Sequence, residues 1–377
     1  MKRHIFLIPG FFGFANLGDF AYWGPVHRKL SELLDNAGMP AELHCVKSLP
    51  TASLRLRTRC LLETIADADP GPRSVIHLIG HSTGGLDSRL LLTPAMNLQS
   101  DIDASAYIRR VRSSISVATP HLGAPIASFF ASVLGNKLLK LLSVITMEVL
   151  RRGEIPLSVW TQAAGLFALP DTAGAAAGSL ASQLYNQLLK DFNAQRRAQV
   201  TELLSSVERD QALLTQLTVE SMDLFNAAAG DRAGVAYGSV VTKATHPTLA
   251  DVLEIGLDPI GQAQHAFYYS LGRLAAGDNF PPPEKKLRRA MRRQFGSIPD
   301  SATNDGIVPT LSQQWGHCIA LARADHLDII GHYSDAQPAS DGEPQYDWLS
   351  TRTNFSTAQF SDVWRRVVRF MAAAEQR

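Results

Sequence analysis

Residues Ile79–Leu86 read I-G-H-S-T-G-G-L, and within them Gly80–Gly84 spell G-x-S-x-G around Ser82. A serine hydroxyl is a weak nucleophile. Chemistry at Ser82 therefore needs a base beside it and a tight turn that lifts it clear of its neighbours. Glycines at 80 and 84 let other backbone pass close to that turn. An apolar run, Ser74–Ile79 (SVIHLI), precedes the motif, and a helical pattern, Gly84–Leu92, follows it. This strand–turn–helix setting separates a nucleophile elbow from an ordinary turn that happens to hold a polar serine. A helix beginning just after Ser82 also offers free N–H groups and a positive dipole end to developing negative charge.

The base must come from eleven histidines. His326, in A-D-H-L-D-I-I, follows the last strand-like run, so its loop falls at the same sheet edge as the loop bearing Ser82. His317 and His332 are nearby alternatives. His77 lies inside an apolar strand and reads as a core residue. His81 adjoins the serine, and neighbours at a sharp turn point apart. The base needs an acid to fix its tautomer. Asp305, in T-N-D-G-I-V-P, suits that role, and Asp328 is its main rival. Asp325 adjoins the histidine and would need awkward geometry. The chain order Ser82, Asp305, His326 is the order of the α/β-hydrolase arrangement. Two N–H groups complete an oxyanion hole: that of Thr83, just after the nucleophile, and that of Phe11 in the loop P-G-F-F-G-F at 9–14. These parts together perform acyl transfer.

The elements that must position them alternate. His4–Ile8, Ala41–Lys47, Ser74–Ile79 and Ile108–Ala118 read as strands. Pro25–Asn36, Thr51–Ala68 and Gly84–Leu92 read as helices between them. Such alternation predicts a mostly parallel sheet with helices on both faces, an α/β class fold. Gly234–Thr242 and Cys318–Ala322 read as the last strands and Val363–Ala374 as a closing helix. The hydrolase-like core thus covers residues 1–125 and 231–377. A mainly helical insertion fills 126–230, and a second, irregular one fills 243–293 within the core. In Ile126–Val149, residues Phe129, Phe130, Val133, Leu134, Leu138, Leu141, Leu142, Ile145 and Val149 form an apolar stripe. That stripe packs either as a second core or as a cover over a cleft.

Composition bounds the partners. The 377 residues are 45% hydrophobic with a formal net charge of +1, so no excess of cations exists to displace counterions from nucleic acid. The basic run Glu284–Arg293 (EKKLRRAMRR) reads as a solvated helix face. Cys45, Cys60 and Cys318 match no metal or disulfide pattern and read as free thiols. No run is long and apolar enough for a membrane span. Ile5–Phe14 is short and broken by Pro9, Gly10 and Gly13, so it reads as a core strand and loop rather than a secretory signal. That reading points to the cytoplasm, with export by another route still open.

The segments IPGFFGF, GHSTGGLDSR, ATPHLGAP, NDGIVP and DHLDIIG together resemble those of bacterial triacylglycerol lipases of the α/β-hydrolase superfamily. Tyr22–Trp23 and Phe225–Asn226 are weaker echoes. The resemblance covers the core and leaves most of 126–222 and 243–293 unmatched. It implies Ser82, Asp305 and His326 as triad, Phe11 and Thr83 at the oxyanion hole, an ester or lipid substrate met at a lipid–water interface, and a helical lid. No cofactor is required. Such lipases often hold a structural calcium through the acid two places after the base, which matches Asp328, with Asp335 as a candidate second ligand. Pro9 stands where these lipases usually have histidine. The same triad also fits a short-chain carboxylesterase or an acyltransferase, and the same fold a non-catalytic lipid-binding module.

Overall fold

The computed structural model describes residues 2–11, 22–94, 96–152, 155–169, 174–190, 194–245, 248, 255–277, 280–334, 346–349 and 351–377. Six strands form one sheet: β1 (Arg3–Ile8), β2 (Glu42–Cys45), β3 (Val75–His81), β4 (Val111–Val117), β5 (Ala236–Lys243) and β6 (His317–Arg323). Every pairing is parallel and the spatial order is β2-β1-β3-β4-β5-β6. Parallel strands share one carboxyl edge. The order reverses direction at β1, so the loops after β1 and β3 flank a topological switch point, where open α/β sheets bind ligands.

Successive β1 residues feed opposite cores. Ile5 and Leu7 join the cluster that holds Val26, Leu30 and Leu34 of helix α1 (Gly24–Asn36). Phe6 and Ile8 join the cluster that holds Leu61, Leu62 and Ile65 of helix α2 (Leu54–Asp67). This period-2 alternation is what a strand buried on both faces requires. Helix α3 (Gly84–Leu92) runs directly from the turn at Ser82 and is buried along its whole length. A short helix, α4 (Ser105–Ile108), occupies the start of the region read as strand Ile108–Ala118.

Between β4 and β5 the described residues are mainly helical: α5 (Pro125–Phe130), α6 (Val133–Arg152), α7 (Leu157–Phe167), α8 (Gly174–Lys190), α9 (Ala194–Arg209), α10 (Ala212–Gln216) and α11 (Val219–Ala228). Leu134, Leu138, Leu141, Leu142, Ile145 and Val149 of α6 are buried in the same cluster as Ile5 and Leu7, whereas Val133, at the helix start, is exposed. Among the described residues between β5 and β6 lie the helices α12 (Pro259–Ala275) and α13 (Lys285–Phe295). This segment is more regular than its proline punctuation indicates. Pro259 sits in the first turn, where its missing N–H costs nothing, and Asp258 caps the Ile260 N–H. In α13 the basic run presents Lys285, Lys286, Arg288, Arg289, Arg292 and Arg293 to solvent, while Met291 and Phe295 are buried. Helix α14 (Thr357–Glu375) closes the chain with a capping box at Ser356 and Gln359. Among the described residues, no helix is long and apolar enough to cross a membrane.

Candidate active site

Ser82 follows β3 with φ +53°, in the left-handed region that a non-glycine residue adopts only when its surroundings impose it. Its N–H donates to the Val117 carbonyl at the end of β4, 2.8 Å away. The glycines around it are required by contact. A Cβ on Gly80 would lie 2.3 Å from Gly84 backbone, and one on Gly84 would lie 2.2 Å from the Ile8 carbonyl. A Cβ on Gly10 would lie 2.4 Å from Ser82 Cβ, so the loop after β1 presses directly on the serine. Phe11 is buried, and Thr83 stands at the start of α3 with a buried hydroxyl that makes no capping bond.

Asp305 is fully buried, and five groups donate to its carboxylate. Ile307 N–H and Val308 N–H reach Oδ1 at 3.1 and 2.7 Å. Thr242 Oγ1, Gln313 Nε2 and His326 Nδ1 reach Oδ2 at 2.8, 3.1 and 2.9 Å. The His326 N–H also donates to the Asp305 carbonyl at 3.0 Å. A carboxylate can only accept, so Nδ1 carries a proton, and in the neutral form of the ring Nε2 is the atom with the lone pair. That Nε2 is buried without a partner.

The alternative residues have other engagements. Asp325 Oδ1 accepts from the Leu327 and Asp328 N–H groups, and Asp328 Oδ2 accepts from the Asp325 N–H. His77 is fixed between Ser113 Oγ and Glu375. His332 Nε2 donates to the Tyr22 carbonyl, and burial pushes its pKa down to about 4. His317 begins β6, at the far end of that strand from His326, and stacks on Phe370. His81 bonds Tyr22 Oη through Nδ1 and the His326 carbonyl through Nε2.

Sequence reading missed the supports. Arg57 of α2 is buried, pairs with Asp87 of α3 at 2.7 Å and donates through Nη2 to the Pro9 carbonyl at 2.8 Å. It thereby holds the loop that adjoins Ser82. Burial pushes Asp87 up from the usual carboxylate range, and Arg57 opposes that shift. Gln313 and Thr242 complete the shell around Asp305. Asn226, the weaker echo near the insertion, bonds both Arg89 and the His121 carbonyl.

Asp325, Asp328 and Asp347 bring carboxylate oxygens within 4.8 Å of one another. Asp347 Oδ1 is buried without a partner. Burial and then mutual repulsion push Asp325 and Asp347 well above the carboxylate range, and burial pushes Asp328 up to about 6. Asp335 lies outside the described residues.

No protein-family model and no curated protein matches the sequence. Solved structures do. EstA from Clostridium botulinum aligns with a TM-score of 0.53 at 19% identity over 98% of this chain and 87% of its own. Staphylococcus hyicus lipase aligns at 0.53 and 17% identity over 100% and 96%. Lipase 1 from Pelosinus fermentans aligns at 0.51 and 17% identity over 97% and 98%. Together with the parallel six-stranded sheet, these alignments show that the chain has the α/β-hydrolase fold, as bacterial lipases and esterases do.

Proposed function

We propose that the chain is a serine hydrolase of carboxylic esters, with Ser82 as nucleophile, His326 as base and then acid, and Asp305 as the group that orients the imidazole. The observation that carries this reading is the buried Asp305–His326 pair, whose Nε2 lone pair is unpartnered at the sheet edge that bears Ser82. Ser82 Oγ attacks the ester carbonyl carbon while His326 Nε2 takes its proton. The Phe11 and Thr83 N–H groups stabilise the oxyanion. The carbon–oxygen bond to the alcohol then breaks, and His326 returns the proton to the leaving oxygen. Water, deprotonated by His326, attacks the acyl carbon, and the bond from that carbon to Ser82 Oγ breaks as His326 returns the proton to Oγ, releasing the acid and restoring the free serine. The lipase and esterase folds aligned above support the same chemistry.

We extend the proposal to lipid esters. Its support is the likeness in fold to Staphylococcus hyicus lipase and to lipase 1 from Pelosinus fermentans, whereas the α6 stripe itself is buried in the core cluster that also holds α1. Residues 126–230 would then act as a lid and 1–125 with 231–377 as the catalytic core, 243–293 being a second insertion in it. Calcium fits the acidic trio: Asp325, Asp328 and Asp347 supply hard oxygen ligands, one of them an orphaned buried oxygen. Bound there, the ion would contribute structure by tying the segment around His326 to the one around Asp347.

An ester panel of rising chain length, with Ser82→Ala as control and a chelator arm, tests the reading. Wild type is expected to hydrolyse the panel, faster on long emulsified esters than on short soluble ones. Ser82→Ala should fold and lose about 10⁶-fold in turnover. Calcium at 100 times its Kd should add about 2.7 kcal/mol of stability that chelator removes. Equal rates at all chain lengths would remove the lipid preference, and unchanged melting with chelator would remove the calcium.

A further inference from the structure

Three hydrogen bonds join the parts of the proposed site behind the nucleophile. The Gly10 N–H donates to Tyr22 Oη at 3.0 Å. Tyr22 Oη lies 2.5 Å from His81 Nδ1, and His81 Nε2 lies 2.8 Å from the His326 carbonyl oxygen. Tyr22 and His81 are buried. The direction of each bond follows from donor chemistry. A carbonyl only accepts, so the His81 proton is on Nε2. Burial holds His81 well below its ordinary pKa, so the ring is neutral and Nδ1 accepts. The Tyr22 hydroxyl must then donate to Nδ1 and accept from Gly10. No alternative assignment satisfies all three.

Resting on the catalytic reading above, we infer that Tyr22 and His81 are positioning residues that hold the oxyanion loop and the base in register with Ser82. Each end of the relay lies on or next to a residue of the proposed site. Gly10 precedes Phe11, His81 precedes Ser82, and the accepted carbonyl belongs to His326 itself. The His326 peptide is therefore pinned on both sides, by Asp305 at its N–H and ring and by His81 at its carbonyl. The His81 and His326 rings also pack at 4.7 Å between centroids. A displacement of about 1 Å at such a site can cost on the order of 10²-fold in rate. Binding of the ester's acyl and alcohol groups does not pass through this relay, so its loss should appear in kcat rather than KM.

The test compares wild type, Tyr22→Phe, His81→Leu and His81→Gln, each assayed per active site titrated with a fluorophosphonate. Normalising to titrated sites removes any loss from unfolded protein. Tyr22→Phe and His81→Leu should each lower kcat by about 10- to 100-fold with KM within about 2-fold. Glutamine offers one donor and one acceptor, so His81→Gln should recover most of the loss seen with leucine. If kcat per titrated site is unchanged in Tyr22→Phe, or if Gln and Leu at 81 are equally impaired, the relay has no positioning role. If wild-type turnover survives Ser82→Ala, the catalytic reading itself fails and takes this inference with it.

Discussion

Asp305→Asn is expected to lower ester turnover by about 10⁴-fold while the chain still folds. The geometry makes the loss specific. Ile307 and Val308 N–H groups hold Oδ1 as an acceptor, so the new amide nitrogen must replace Oδ2. There it faces His326 Nδ1 and Gln313 Nε2, both of which donate to the native carboxylate. The imidazole can only answer by turning Nδ1 into an acceptor, which moves its proton to Nε2. A protonated Nε2 cannot take the proton of Ser82. Steady-state turnover per titrated site measures this directly. Activity within about tenfold of wild type would mean that another acid serves His326.

Arg57→Met is expected to destabilise the protein by about 3–5 kcal/mol, because it leaves the buried Asp87 carboxylate without its partner. Urea unfolding at neutral pH measures it. The sign of its pH dependence is fixed. Asp87 already titrates above its unfolded value, and removing Arg57 raises it further. A carboxyl with a raised folded pKa destabilises the fold at pH above that pKa and ceases to do so once protonated. The gap between variant and wild type should therefore narrow as pH falls. A gap that widens on acidification, or one below about 1 kcal/mol, would contradict the buried-pair account. The Pro9 carbonyl also loses its Arg57 donor, so surviving folded enzyme should turn over more slowly.

The legible parts of this molecule were those encoded locally. The strand–turn–helix around Ser82 is written in one continuous run, Ser74–Leu92, and the structure places the serine at positive φ in that turn. Asp305 and His326 could be nominated from their own short motifs, and the structure joins them at 2.9 Å. The burial of β1 on both faces follows from its unbroken apolar run Ile5–Ile8. What escaped was long-range. Arg57 reads as one of several cations in a helix, and only the packing of α2 on α3 shows that it is buried against Asp87 and Pro9. Thr242 and Gln313 lie 63 and 8 residues from Asp305 and meet it only because β5 and the turn after Pro309 converge. Both ring nitrogens of His81 are engaged, by Tyr22 Oη and by the His326 carbonyl. Its link from Tyr22 to the His326 backbone spans 59 and 245 residues, beyond any sequence pattern.

The most direct test of the central claim is covalent. Purified protein is treated with a fluorophosphonate, digested, and mapped by mass spectrometry. The account predicts one adduct, on Ser82, formed rapidly in wild type and abolished in the His326→Ala variant, whose serine lacks its base. No adduct on intact, folded protein, or an adduct on a serine other than Ser82, would contradict it.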